Sequence, residues 1–323
     1  MASHGKKTLW IALAVIALVL MALAPLGIRG YWVRLFTSMY MYAVLAQAVN
    51  IIAGYCGYLA LGNMVFFGLG AYVVAVLMTK FAVGFAAALV FAGLGACVVS
   101  VVVGFPILRL KGQYFLMATC SLLELAREVT TNVPITGGGQ GITLPIFPGG
   151  AAMANYFFYY FMLCMMLATM IVIYFLAKSS LGYALRAISF DEDAASVMGI
   201  NTTAYKTTAW AISAFLTGVT GGAYAYWMSY IDPTEGYQLM PSIKMYLMMV
   251  LGGKGTVLGP IIGAFFVEFV SEVVWGKFLE LHLLILGLIL VLVVIFAPRG
   301  LMGLFKKGFK VSKLIAGIKE NRV

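Results

Sequence analysis

Apolar runs, each about as long as a bilayer core is thick, recur along the chain and are interrupted by short clusters of Gly, Pro or charge. At roughly 20 apolar residues per crossing, they predict helical spans at 9–28, 32–53, 57–79, 82–105, 112–131, 155–177, 206–230, 241–252, 256–275 and 281–298. The fold class this pattern predicts is an all-α polytopic membrane protein with about ten transmembrane helices, some short or broken. The segment 241–252 rises only about 18 Å through a core about 30 Å thick, so it is expected to cross as a short helix shielded by protein. At the N-terminus, Lys6-Lys7, the run Leu9–Ala24 and the cleavage-like Ala22-Leu23-Ala24 have the layout of a signal peptide. Pro25 beyond that cut, and apolar character continuing to Ile28, favour an uncleaved first span.

Two connections exceed ordinary loop length. Residues 132–154 carry no charge and are rich in Gly and Pro, whereas 178–205 hold the densest charge in the chain interior. Within the second, Leu181, Ala184, Leu185 and Ile188, then Ala194, Val197 and Met198, fall at helical spacing. Asp191 and Asp193 stand where an N-cap and a first-turn acid belong. Two short helices outside the bilayer are expected here.

Composition narrows the class. Of 323 residues, 63% are hydrophobic and 10% charged, with mean hydropathy +1.02; a water-soluble fold has no place for that much apolar surface. The net charge of +10 does not make a nucleic-acid face, because the cations are scattered among short loops and a basic tail at 299–323. With the N-terminus inside and alternating crossings, fifteen cations fall on the inner side: Lys6, Lys7, Arg109, Lys111, Lys178, Arg186, Lys206, Lys254, Arg299, Lys306, Lys307, Lys310, Lys313, Lys319 and Arg322. Four fall outside, Arg29, Arg34, Lys80 and Lys277. The asymmetry predicts both termini in the cytoplasm, the 132–154 loop outside and the 178–205 loop inside. Cys56, Cys97, Cys120 and Cys164 stand singly, and the histidines are His4 and His282, so neither a disulfide framework nor a metal site is expected.

Glycine spacing carries the helix-packing signal. Gly255, Gly259 and Gly263, and again Gly218 and Gly222, recur every fourth residue, the spacing that gives a helix a smooth face for close approach. The stretch from Gly54 and Gly57 through Gly62, Gly68 and Gly70 is too glycine-dense for an unbroken helix, since each Gly costs about 1 kcal/mol relative to Ala. A break beside a cavity is expected there. Segments 54–72 and 251–266 share a faint internal likeness.

Polar residues within spans are few: Gln47, Asn50, Asn63, Glu124, Arg127, Lys244, Glu268 and Glu272. Such groups face protein or water. Asn63, Glu124 and Lys244 are the candidates for a solute pathway, with a local ion pair of Arg127 with Glu124 or with Glu128 as the plain alternative. Phosphate-binding motifs fail: Met248 and Gly255 occupy positions where GxxxxGK[ST] needs Gly and Ser or Thr, and Gly137–Gly141 is not GxGxxG. No nucleophile–base or metal constellation appears, so no catalytic residues are assigned.

In order along the chain, GYCGYLALGNMVFFGLGAY (54–72), RLKGQYF (109–115), TGGGQGI (136–142), LGYALRAISFDEDAASVMGI (181–200), VLGGKGTVLGPIIGAFF (250–266) and FAPRGLMG (296–303) resemble the M-type (LivM) permease subunits of branched-chain amino-acid ABC importers. The likeness covers about 35–305. It implies an inner-membrane permease subunit for hydrophobic amino acids, with an H-type permease as its pair, two cytoplasmic ATPase subunits and a periplasmic substrate-binding protein. ATP and Mg would sit on the ATPases, with no cofactor on this chain. Asp193-Ala194-Ala195-x-x-x-Gly199 resembles the EAA–G coupling motif of such importers, with Asp for Glu and without a distal Ile-x-Leu-Pro. The resemblance thus makes Arg186, Asp191, Glu192, Asp193, Ala194, Ala195 and Gly199 the candidate ATPase-coupling residues. Where relatives commonly read Ser-Ile-Glu, this chain has Ser242-Ile243-Lys244. That cation points either to a more acidic cargo, aromatic or dicarboxylic, or to a Lys reaching the interface. Other readings are a permease for urea or amides and an ion-coupled secondary transporter, the last of which would need no ATPase-docking loop.

Overall fold

The computed structural model describes residues 21–25, 30–277, 287 and 301–302. The predicted spans 9–28 and 281–298 and the 299–323 tail lie almost wholly outside the described residues. Helices coincide with the eight other predicted spans: α1 (Gly30–Val49), α2 (Asn63–Lys80), α3 (Phe85–Ile107), α4 (Gln113–Asn132), α5 (Gly150–Lys178), α8 (Thr202–Met228), α10 (Leu239–Gly252) and α11 (Gly259–Lys277). Three short helices, α6 (Ser180–Phe190), α7 (Glu192–Val197) and α9 (Pro233–Gly236), fall between them. Among the described residues, four helical stretches are long and apolar enough to cross a membrane on their own: Gly30–Tyr55, Asn63–Lys80, Phe85–Ile107 and Ala152–Lys178.

α8 occupies the centre. Its small-residue face (Gly218, Gly221, Gly222) meets α2 and α3 so closely that a Cβ at Gly221 would strike the Phe67 carbonyl, and one at Gly218 would sit 2.6 Å from Ala96 Cβ. Gly70 of α2 abuts the Gly218 carbonyl in the same way. Backbone contact of this kind supplies the dispersion that holds helices together where lipid removes the hydrophobic drive. Gly68 and Gly70 therefore serve packing within a continuous helix.

The interruption lies just before them. α1 runs into a π-helical turn, Asn50–Tyr55, after which the chain is non-helical to Gly62. Helix thus resumes at Asn63, six residues later than the span boundary read from hydrophobicity. Mid-helix π-turns are rare and concentrate at functional sites.

Gly255 corrects the third glycine repeat. It lies in the turn between α10 and α11 at φ +68°, a conformation Gly adopts without strain. α11 starts only at Gly259, whose N–H donates to Thr256 Oγ1 at 3.0 Å. The four-residue spacing continues through a turn, and Pro260 in the first helical turn marks where the helix begins. Gly263 and Gly259 form the close crossing, against Met248 and Gly252 of α10. The Gly255 turn packs on Gly54, so the two segments with internal likeness meet turn to turn.

Connections segregate to two ends. At one, the turns at 56–62 and 108–112 meet α6 and α7, and the 253–258 turn packs on the adjoining π-turn. At the other, β1 (Ile142–Thr143) pairs antiparallel with β2 (Tyr230–Ile231), Leu144 N–H donates to Ser229 O at 2.9 Å, and Thr130 Oγ1 donates to Tyr237 Oη at 3.0 Å. The 132–154 segment contributes two 3-10 turns and this strand before α5 begins at Gly150. The 132–154 and 178–205 segments thus lie at opposite ends of the bundle.

Candidate functional site

Capping defines the helix pair at 180–197. Ser179 Oγ accepts the Gly182 N–H at 3.4 Å to start α6, and Asp191 Oδ1 accepts the Ala194 N–H at 3.0 Å to start α7. Glu192 and Asp193 supply negative charge to the first turn of α7. Gly199 closes it at φ +86°, with Ile200 N–H reaching back to Ala195 O at 3.1 Å, a Schellman-type ending. Two small residues of the motif thus have local reasons: Ala195 is buried on the inner face of α7, and Gly199 takes the left-handed position, while Ala194 is exposed.

The pair is anchored on one face and bare on the other. Leu185, Ile188 and Ala195 are buried, while Phe190, Val197 and Met198 are 93%, 89% and 71% exposed. Exposed apolar groups gathered on one small unit mark a contact surface. Arg186 is exposed, its guanidinium 5.4 Å from the Tyr55 ring. Asp193 pairs with Lys111 at 2.6 Å across the surface.

The anchor itself centres on Lys206, one of the cations that charge asymmetry assigns to the inner side. Lys206 is 1% exposed. Its Nζ donates to Glu192 Oε1 at 2.6 Å, to Leu108 O at 2.8 Å and to Tyr58 Oη at 3.2 Å. Tyr58 Oη in turn donates to Glu192 Oε2. Burial alone would raise the Glu192 carboxyl, but the hydrogen bonds from Lys206 and Tyr58 and the Lys206 charge outweigh it, so its pKa is lowered. No acid lies within four residues of Lys206, so its partner comes from another element.

The three pathway candidates do not converge. Asn63 is buried at the start of α2 and donates to Ser213 Oγ at 3.0 Å, while Ser213 donates to Ala48 O at 2.7 Å; among the described residues Asn63 Oδ1 has no partner. Glu124 sits on an exposed face of α4, paired with Arg127. Lys244 of α10 lies 2.6 Å from Glu268 of α11 and 4.5 Å from the Tyr42 ring centroid. Glu268 Oε2 receives no well-angled hydrogen bond, so the contact is chiefly Coulombic. The Lys244 charge is thus met within the chain by Glu268. Beside it, a cavity of about 150 Å³ is lined by Tyr42, Met64, Phe67, Tyr224, Glu235 and Gln238.

A bundle of apolar helices with an interrupted helix, glycine crossings and a capped helix pair at one end fits a multi-pass membrane protein. The family model for "Branched-chain amino acid transport system / permease component" matches residues 31–294. The chain is 30% identical to the LivM permease proteins of Salmonella typhimurium and Escherichia coli, over 93% of its own length and 76% of theirs. It is 26% identical to Escherichia coli LivH, over 81% of this chain and 91% of that one. No solved structure matches. The chain belongs to this permease family and is a LivM-type permease subunit of an ABC importer.

Proposed function

We propose that the chain forms one half of a heterodimeric translocation pathway for branched-chain or other hydrophobic amino acids, in the bacterial inner membrane with both termini cytoplasmic. Its partners are an H-type permease, two cytoplasmic ATPase subunits that bind ATP and Mg, and a periplasmic binding protein that delivers the solute. The observation that carries this reading is the α6–α7 unit: a rigidly capped helix pair whose inner face is fixed to the bundle and whose Phe190, Val197 and Met198 face outward. A nucleotide-driven subunit that grips those three side chains can move the permease as a body. The substrate class rests on the branched-chain amino acids named for the LivM relatives and is supported by Lys244 being paired with Glu268.

Reconstitution tests the proposal. The chain, its permease pair, the ATPases and the binding protein should import leucine into vesicles in an ATP-dependent manner. Uptake by the isolated chain on an ion gradient would overturn it. The triple change Phe190→Ser, Val197→Ser, Met198→Ser should abolish copurification of the ATPases and leave the permease pair intact.

A further inference from the structure

We propose that Lys206, bonded to Glu192 and Tyr58, is the joint that carries movement of α6 and α7 into the interrupted helix at 50–62. The inference rests on the coupling role proposed for α6–α7 and adds where the movement goes.

Four segments meet at the Lys206 ammonium: α7 through Glu192, the non-helical stretch after α1 through Tyr58, the end of α3 through the Leu108 carbonyl, and α8, which carries the lysine. The bundle's central helix is thereby tied to the non-helical stretch at 56–62. A buried ammonium costs several kcal/mol unless paired and hydrogen-bonded, so these three contacts hold as a set. Two further contacts stiffen the link, because Arg186 lies over Tyr55 and a Cβ at Gly57 would sit 2.9 Å from Ser189 Oγ. On the far side of the same π-turn, Asn50 accepts the Gly255 N–H at 2.8 Å and donates to Thr256 O at 2.9 Å. Gln47 donates to Val257 O at 3.3 Å. The turn between α10 and α11 is therefore bonded to the π-turn, and those two helices carry Lys244 and Glu268 beside the cavity. Two sets of polar contacts, one around Lys206 and one between the π-turn and the 255–257 turn, are joined by the 50–62 backbone, and α10 and α11 run on from the second to the cavity's border. Contiguity becomes coupling only when changes along it alter the energetic link between the two ends.

The assembled importer in vesicles supplies the test, read as ATP hydrolysed per leucine imported. Wild type first establishes ATP-dependent import; its failure would sink the importer reading itself and not the joint. Three variants then follow: Lys206→Met, Tyr58→Phe, and the double change Lys206→Met with Glu192→Met. The double change removes both charges together, which buried pairs tolerate far better than losing one partner. Tyr58→Phe keeps the ring packed on Phe115, 5.2 Å away centroid to centroid. A joint predicts that ATPases still copurify, while ATP used per leucine rises at least ten-fold in the lysine variants and several-fold in Tyr58→Phe. A purely structural lysine predicts hydrolysis and import falling together at a constant ratio. Should Lys206→Met fail to assemble, the double variant and Tyr58→Phe decide, and an unchanged ratio in both overturns the proposal.

Discussion

Glu192 shows how one side chain links stability to pH. Its carboxyl titrates below the ordinary 4.5 when folded, because Lys206 and Tyr58 stabilise the anion more than burial opposes it. A folded pKa below the unfolded one means stability that is full above about 4.5 and is lost as pH falls through the folded value. Glu192→Gln abolishes that contribution and leaves a buried ammonium facing a neutral amide. Its cost should be about 3 kcal/mol at neutral pH, the low end for breaking a buried pair, given that the Glu192 side chain is 16% exposed. In thermal melts of the detergent-solubilised complex, the gap between wild type and Glu192→Gln should be constant from pH 7 to 5 and shrink below about 4.5. A gap that stays constant to pH 3.5 would show that the carboxylate is not stabilised as described. Lys206 itself was legible only as a cation on the inner side; burial of a lysine depends on partners 14, 98 and 148 residues away, and local pattern carries no trace of them.

Among elements, α7 and the glycine crossings make separate predictions. α7 has six residues, too few to be helical alone, so its cap matters: Asp191→Ala should cost about 1 kcal/mol, seen as faster hydrogen exchange confined to 192–199. At the α10–α11 crossing, Gly263→Ala drives a methyl into the Met248 carbonyl and should cost about 1–3 kcal/mol, as overpacking does. Gly95→Ala is the contrast. Its Cβ would meet Leu69 Cδ2 at 3.8 Å and Val73 Cγ2 at 3.9 Å, ordinary contact, so the helix should gain up to about 1 kcal/mol. Equal effects at Gly263 and Gly95 in melting of the complex would refute the packing account. Helix positions were legible because hydrophobic length sets them; Asp191 as a cap was legible because capping is local. Gly255 was misplaced for the matching reason: spacing alone does not distinguish a helix face from a turn that leads into one. The π-turn followed from glycine density only as a break of unspecified form.

For the whole molecule, what Lys244 does decides how the pathway treats charge. Read alone in the sequence, it is an added cation within a span. In the fold it is one member of a neutral pair, 2.6 Å from Glu268 and packed on the Tyr42 ring, beside a cavity whose charged lining residue is Glu235. Breaking the pair exposes one charge, whereas removing both leaves the local charge unchanged. Lys244→Met should leave Glu268, whose side chain is 11% exposed, as an uncompensated anion at membrane depth, with loss of folded complex. The combined change Lys244→Met with Glu268→Met should restore the yield of complex, because apolar side chains of similar volume replace a buried pair at little cost. Competition by leucine against glutamate in vesicle import reads the other half of the argument. If the pair is internally neutral, the double variant ranks the two solutes as wild type does. If it instead discriminates against or favours glutamate by ten-fold or more relative to wild type, Lys244 meets the solute directly, and the acidic-cargo reading of that lysine returns.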